Sequence, residues 1–550
     1  MSRPPGAAPC SALLILFCLC LSCAKEKPVI VSLDPSAGQA GEVLKVRGTG
    51  FGHEKGSSYV TIAGIPLTSS SYLGWEDREI RIKIPEFNGA GLVSVHRDRV
   101  KSNPLLFSNQ AAMPAPVPDT DRSLGPLISA VNPASGPVGS RIVLQGSGFG
   151  SSRGASGVFF PWQSEVSPTV PAEEREARTV EVFDGEFGYE HWSDREIWIR
   201  VPDGAASGSL EVRTPAQNAG SVFFKVTDSP GTKTFKDKRR YTVSYGVDIK
   251  AQAAHAPNTL YLWVPRPVRS ASQRLVDPPV SNIAPFVENY QGTALFQLTD
   301  VAADAALRMT AIIEVYTVET AVQSPSQKPK PHDPSPVQAV YTLPSALIPA
   351  DNPNVAALAQ RITGAGNAGN EQSPYEKARR IYEWLLREGG IRRASGDTGG
   401  ALEALQEKRC DAYGAALLFC ALARATQIPA LPAAGVLVYD SRAAVRHYWA
   451  EFWVEGLGWV PLDPALGAGA GPEGFPSRED AASYYFGSLD NRRITFSRGQ
   501  AALSRMDPRG RTMVRNREYA LQDVWEEAVG GLESYSSLWS DITVTGIYTH

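Results

Sequence analysis

Lys408-Arg409-Cys410-Asp411-Ala412-Tyr413-Gly414-Ala415-Ala416-Leu417-Leu418-Phe419 runs from a polar loop straight into small and apolar residues. That is the pattern of a buried helix with a cysteine at its start. Unpaired N–H groups at a helix N-terminus carry partial positive charge, and Lys408 and Arg409 add to it, so the position favours thiolate over thiol; Asp411 opposes. Further on, Arg446-His447-Tyr448-Trp449-Ala450-Glu451-Phe452-Trp453 alternates as a strand, with His447, Trp449 and Glu451 on one side. Glu455-Gly456-Leu457-Gly458 is a turn, and Trp459-Val460-Pro461-Leu462 returns as a second strand that delivers Asp463 near the histidine. A hairpin of this kind holds an imidazole between a thiol and a carboxylate, the order needed for nucleophile, base and orienting acid.

The three blocks, Cys410 opening a helix, His447-x-Trp449-x-Glu451, and Gly458-Trp459 followed by Asp463-Pro464, resemble the transglutaminase-like (papain-related cysteine protease) superfamily. The resemblance covers roughly the last 310 residues. It implies an α+β papain-like core over 340–500, a β-rich domain before it over 233–322, and a return segment at 484–499 like that of bacterial members. The chain departs from the family pattern at Lys408 and Gln427, where many members have Gly. The resemblance also casts Glu451 as a partner behind the catalytic residues and groups Tyr413 with the supporting residues. For Trp449 and Trp459 two roles stand open, walls of an acyl tunnel or packing of the hairpin.

A chain of 550 residues exceeds one core, so several domains are expected. A net charge of -3 gives no basic footprint for nucleic acid. Residues 1–22 carry Arg3, an apolar run from Ala12 to Leu21, and then Ser22-Cys23, which reads as a signal peptide too short to span a bilayer. Leu21-Ser22-Cys23-Ala24 resembles a bacterial lipoprotein signal. That implies cleavage before Cys23, lipidation of Cys23, and a membrane-anchored lipoprotein on the periplasmic or surface side of the cell envelope. Only Cys410 and Cys420 then remain, and ten residues of one helix hold them about 15 Å apart, too far for a disulfide.

Pro35, Gly38, Gly48, Gly50, Phe51 and Gly52 recur 98 residues later as Pro133, Gly136, Gly146, Gly148, Phe149 and Gly150. Trp75-Glu76-Asp77-Arg78-Glu79-Ile80 is answered by Trp192-Ser193-Asp194-Arg195-Glu196-Ile197 at an offset of 117, so the second copy holds 19 extra residues. Short strands between Gly and Pro turns make these two β-sandwich modules, 25–108 and 125–228, joined by a Pro/Ala-rich linker at 110–118. Their Gly-x-Gly-Phe-Gly run resembles the immunoglobulin-like IPT/TIG domain. It is not a phosphate loop, because no helix pattern follows and no Lys-Ser/Thr completes it. The modules are spacers or binders of a surface protein or glycan; Phe159-Phe160-Pro161-Trp162 and the aromatics at 183–192 form a covered edge, an interdomain contact or a ligand patch.

The chain from 233 continues in strands, and a Pro-rich linker at 323–336 precedes the first helices. Ser373-Pro374-Tyr375-Glu376 is a capping box, opening a helix with Ala378, Ile381, Tyr382 and Leu385 on one face. Residues 501–550 carry no catalytic pattern and read as packing. The expected fold is multidomain: two all-β immunoglobulin-like sandwiches, a further β-rich domain, and an α+β papain-like/transglutaminase-like core.

Of seven histidines, His447 alone has an ordered nucleophile and carboxylate around it. The expected chemistry is acyl transfer on a protein or peptide substrate through a thioester on Cys410. His447 is the base, Asp463 fixes its tautomer, and the Cys410 N–H helps stabilise the oxyanion. Water as acceptor gives a protease or amidase, and a lysine amine gives a cross-linking transglutaminase. The other class is a non-catalytic envelope scaffold. No Cys-x-x-Cys or His-x-x-His spacing and no calcium-loop motif is present, so neither metal nor cofactor enters the expectation. Asp440 and Asp397 are alternative acids, read as solvated charges.

Overall fold

The computed structural model describes residues 27–35, 37–85, 90–97, 100–109, 126–163, 179–184, 187–215, 221–227, 229–323, 336–364, 372–393, 399–501, 503–515 and 517–549. The 1–22 segment, Cys23, Asp397, the 110–118 linker and most of the Pro-rich linker lie outside them. The chain forms two compact units, 1–111 and 112–550.

The first unit is a sandwich. One sheet runs Val29–Asp34, Val43–Thr49, Glu79–Lys83, Tyr72–Trp75, and the other places Ala90–Arg97 between Leu105–Asn109 and Tyr59–Ile62. Alternation buries Leu44 and Val46 from one strand and Ile80 and Ile82 from its neighbour, against Val93, Val95 and Phe107. The second copy, in the second unit, has the corresponding order Leu127–Asn132, Arg141–Ser147, Glu196–Arg200, Tyr189–Trp192. It reproduces the same bonds. Trp75 Nε1 donates to the Phe51 carbonyl at 3.1 Å and Trp192 Nε1 to that of Phe149 at 3.2 Å. Asp77 accepts from the Gly52 N–H and Asp194 from that of Gly150. The repeat therefore encodes one turn held by a Trp and an Asp. Its first glycine is required by close approach, since a Cβ on Gly48 or Gly146 would lie 2.0 Å from the carbonyl oxygen of Val29 or Leu127.

In the rest of the second unit a 35-residue strand, Gly231–Pro265, runs through a ten-stranded sheet. It pairs with Ala305–Val322, Thr293–Thr299, Glu526–Trp539 and Thr543–Thr549. The C-terminal stretch thus packs as strands of this sheet. Helices follow at Pro336–Tyr341, Pro353–Thr363, Pro374–Glu388, Ala401–Glu407 and Ala412–Ala425. The Ser373 capping box is formed in both directions, and Ala378, Ile381, Tyr382 and Leu385 are buried. A four-stranded sheet orders Gly458–Leu462, Ala444–Val454, Ala430–Val438 and Arg493–Arg498, and Ala412–Ala425 packs on it. Among the described residues no helix is long and apolar enough to cross a membrane.

The second sandwich is fused to this core. Trp162 stacks on Phe235 at 5.2 Å and meets Tyr316 edge-on, with Arg274 over its ring, so the Trp that ends the Phe-Phe-Pro-Trp run makes an interdomain contact, while Phe160 packs on Phe224 inside the sandwich. Val138 bridges Gly456 in the turn of the His447 hairpin. Beneath it the buried Lys233 ammonium donates to Asp203 and to the Trp459 carbonyl, both at 2.6 Å.

Candidate active site

Ala412–Ala425 is a buried helix, with every side chain from Gly414 to Arg424 inside the core. Asp411 caps it by accepting from the Gly414 N–H. Cys410 therefore stands one residue outside the cap, in an extended segment that bridges Ile391. Its Sγ–H donates to the Gly389 carbonyl at 3.4 Å, and its N–H to that of Gly390 at 3.3 Å. The two segments lie so close that a Cβ on Gly390 would sit 1.8 Å from the Lys408 oxygen.

This corrects two expectations. The helix N-terminus does not hold Cys410 as thiolate: the Asp411 carboxylate takes the helix's positive end, and burial pushes the Cys410 thiol up to about 12. The Cys410 N–H is not free for an oxyanion, because the Gly390 carbonyl occupies it. Cys420, fully buried among helix neighbours, is likewise pushed up to about 12 by burial. Both cysteines are free thiols.

The hairpin forms as the sequence predicts, Ala444–Val454 paired to Gly458–Leu462. It sets His447 Nε2 2.8 Å from Asp463 Oδ2, both side chains buried. Asp463 also caps the short helix Pro464–Gly467, its Oδ1 accepting from the Leu466 N–H at 2.9 Å. Burial works to raise the Asp463 pKa. The His447 imidazole, the Arg493 guanidinium and the Leu466 N–H outweigh it, and the carboxyl ends below its ordinary range. With Nε2 on the carboxylate, Nδ1 is the nitrogen left for a proton from a nucleophile. Among the described residues no hydrogen bond joins Cys410 to His447; the thiol is bonded to Gly389 instead.

The supporting residues separate. Trp449 lies beside the histidine, with ring centroids 6.3 Å apart, in a cluster with Leu466, Phe475 and Tyr485. Trp459 packs the other way, against Tyr341, Trp453 and the second sandwich, so of its two open roles the geometry gives packing. Glu451 forms a two-pronged ion pair with Arg498, its closest contact 2.6 Å, tying the hairpin to the return strand. Tyr413 meets Tyr448 edge-on under the Arg517 guanidinium. Asp440 is an exposed acid paired to Arg239 and Arg492.

Sequence reasoning missed Arg493 and Arg517. Arg493 donates to Asp463 Oδ2 and to Asp490 Oδ2, each at 3.1 Å. Arg517 pairs with Asp411. The alternation of Arg493, Thr495 and Ser497 with Ile494 and Phe496 is visible in the sequence. What could not be read is that the face holding Arg493 covers a buried carboxylate.

The two positions where the chain lacks the family's Gly, Lys408 and Gln427, both have left-handed backbone, with φ of 49° and 62°. Glycine is favoured there because it has no Cβ to clash.

Residues 356–464, which contain Cys410, His447 and Asp463, match the model of the transglutaminase-like superfamily. Residues 28–108 match that of the IPT/TIG domain. A cyclomaltodextrin glucanotransferase of Paenibacillus macerans is 33% identical over 85 residues, 16% of this chain, and the chain spans only 12% of that relative's length. Among solved structures, a protein from Cytophaga hutchinsonii described as a candidate cysteine protease aligns with 58% of this chain and 93% of its own, at 15% identity and TM-score 0.38. A γ-cyclodextrin glucanotransferase from an alkalophilic Bacillus clarkii aligns with 37% of this chain and 26% of its own, at 19% identity and TM-score 0.14. At these scores neither structural likeness bears on activity or partner.

Proposed function

We propose that the protein is a thiol-dependent amide hydrolase, with Cys410 as nucleophile, His447 as base and Asp463 as orienting acid. The observation that carries this reading is the buried His447–Asp463 pair, inside a segment that matches the transglutaminase-like superfamily and also contains Cys410. In the resting protein the thiol is neutral and bonded to Gly389. Activation therefore requires the sulfur to leave that carbonyl and pass its proton to His447 Nδ1. The thiolate then attacks a carboxamide or peptide carbonyl, His447 protonates the departing amine, and the thioester goes to water. Water at about 55 M outcompetes a free amine unless the acceptor is bound and oriented, so hydrolysis precedes transamidation.

The test is turnover of a fluorogenic peptide and of a glutamine-donor peptide, with and without an amine acceptor. Cys410→Ala abolishes both under this reading, and unchanged turnover in the variant overturns it. One observation favours a non-catalytic scaffold instead: the buried, hydrogen-bonded thiol. Under that reading Cys410 and Cys420 react equally slowly with iodoacetamide, whereas a nucleophilic Cys410 reacts much faster than Cys420.

The signal-like first 22 residues support export, and Cys23 supports a lipid anchor. Cys23→Ser releases the protein from the membrane fraction under this proposal; retention counts against it. The first sandwich, its own compact unit, is proposed to engage a surface protein or glycan.

A further inference from the structure

Resting on that reading of the site, we propose that Arg493 is a positioning residue that sets the acid limit of activity by sharing the Asp463 oxygen used by His447. Two donors meet on Asp463 Oδ2, His447 Nε2 at 2.8 Å and Arg493 at 3.1 Å. A carboxylate paired with an imidazole favours the protonated ring, which cannot accept a proton from a thiol. A permanent cation on the same oxygen opposes that charge, and in a water-excluded pocket the opposition is weakly screened. The Arg493 guanidinium therefore opposes a positive charge on the ring while its hydrogen bond pins the carboxylate.

Arg493 is itself 3% exposed in its side chain and is answered by a second acid, Asp490, at 3.1 Å. Asp490 also accepts from the Tyr485 hydroxyl and the Arg492 N–H. The Tyr382 hydroxyl, on the helix beside Asp463, and the Tyr485 hydroxyl also lie within electrostatic reach of that carboxylate. The arrangement alternates in sign, from imidazole to Asp463 to Arg493 to Asp490, so changing the far members moves the near one in a fixed direction. Removing the Arg493 charge makes the ring easier to protonate. Removing the Asp490 charge leaves the guanidinium uncompensated and makes the ring harder to protonate.

The experiment follows the pH profile of kcat/KM together with the histidine ring resonances of the full chain by NMR, for Arg493→Gln, Arg493→Lys and Asp490→Asn. The ring titration is recorded in the Cys410→Ala background, so it reports even if the protein hydrolyses no amide. The expected result is a rise of about one pH unit in both the acid limb and the His447 ring midpoint for Arg493→Gln. Arg493→Lys restores both, and Asp490→Asn moves both downward. If the folded variants lose activity with the acid limb and ring midpoint unmoved, Arg493 is structural and the inference is overturned. If the ring midpoints move as expected while wild type and Cys410→Ala are equally inactive, the inference stands and the hydrolase reading fails.

Discussion

The Arg517 guanidinium, 106 residues along the chain, lies against the Asp411 carboxylate that caps the helix after Cys410. It neutralises the one acidic group whose position next to the nucleophile opposes thiolate formation. Arg517→Met leaves that carboxylate uncompensated, and Cys410 alkylation by iodoacetamide at neutral pH slows about three- to tenfold. Asp411→Asn in the same background recovers the rate. Recovery by Asp411→Asn separates electrostatics from simple loosening of the contact.

Cys420 gives a pH dependence of stability with a definite sign. Its thiol is pushed up to about 12 in the fold and titrates near 8.5 when unfolded. The folded state therefore holds its proton more tightly. The stabilisation is fully present below about pH 8.5 and disappears as pH rises toward about 12. Relative to Cys420→Ala, the natural protein loses about 2 kcal/mol of unfolding free energy between pH 8 and 10.5. Urea titrations of both at the two pH values measure it.

Lys408 and Gln427 occupy left-handed backbone without being glycine. Lys408→Gly and Gln427→Gly each remove Cβ strain, partly offset by the greater freedom of the unfolded chain, for a net gain of about 0.5 kcal/mol. Denaturant midpoints of the two variants should rise, and a fall in both contradicts the assignment.

Lys233→Met strands the Asp203 carboxylate in a buried junction and removes the donor to the Trp459 carbonyl. The expected cost is about 3 to 5 kcal/mol. The double variant Lys233→Met/Asp203→Leu recovers part of it, because no unpaired charge is then buried. Chemical denaturation of the three proteins reads the coupling.

The His447 hairpin was legible because its two strands are neighbours in the sequence, joined by a glycine turn. The sandwich repeat was legible because Trp75 and Trp192, with Asp77 and Asp194, perform one local job each. The capping box at Ser373 was local too. What the sequence hid is non-local: the carbonyls of Gly389 and Gly390 that occupy Cys410, the guanidinium of Arg493 on Asp463, and Arg517 on Asp411. Each depends on a segment about 20 to 106 residues away whose approach no periodicity records. The thiolate expectation failed for the same reason, since a helix pattern specifies the position of Cys410 along the chain but not its depth.

The strand Gly231–Pro265 pairs with residues near the C-terminus across separations of up to 310 positions, Arg239 with Thr549. Its edge is synthesised long before the strands that cover it, and until they arrive it presents open peptide groups to any neighbouring chain. A fragment trimmed to residues 356–464 would lack the Arg493 strand and both terminal partners, and would carry the catalytic side chains without the architecture that holds them. Recombinant work on the chemistry should therefore keep everything from the second sandwich through Thr549, and should expect slow maturation with aggregation as the competing fate.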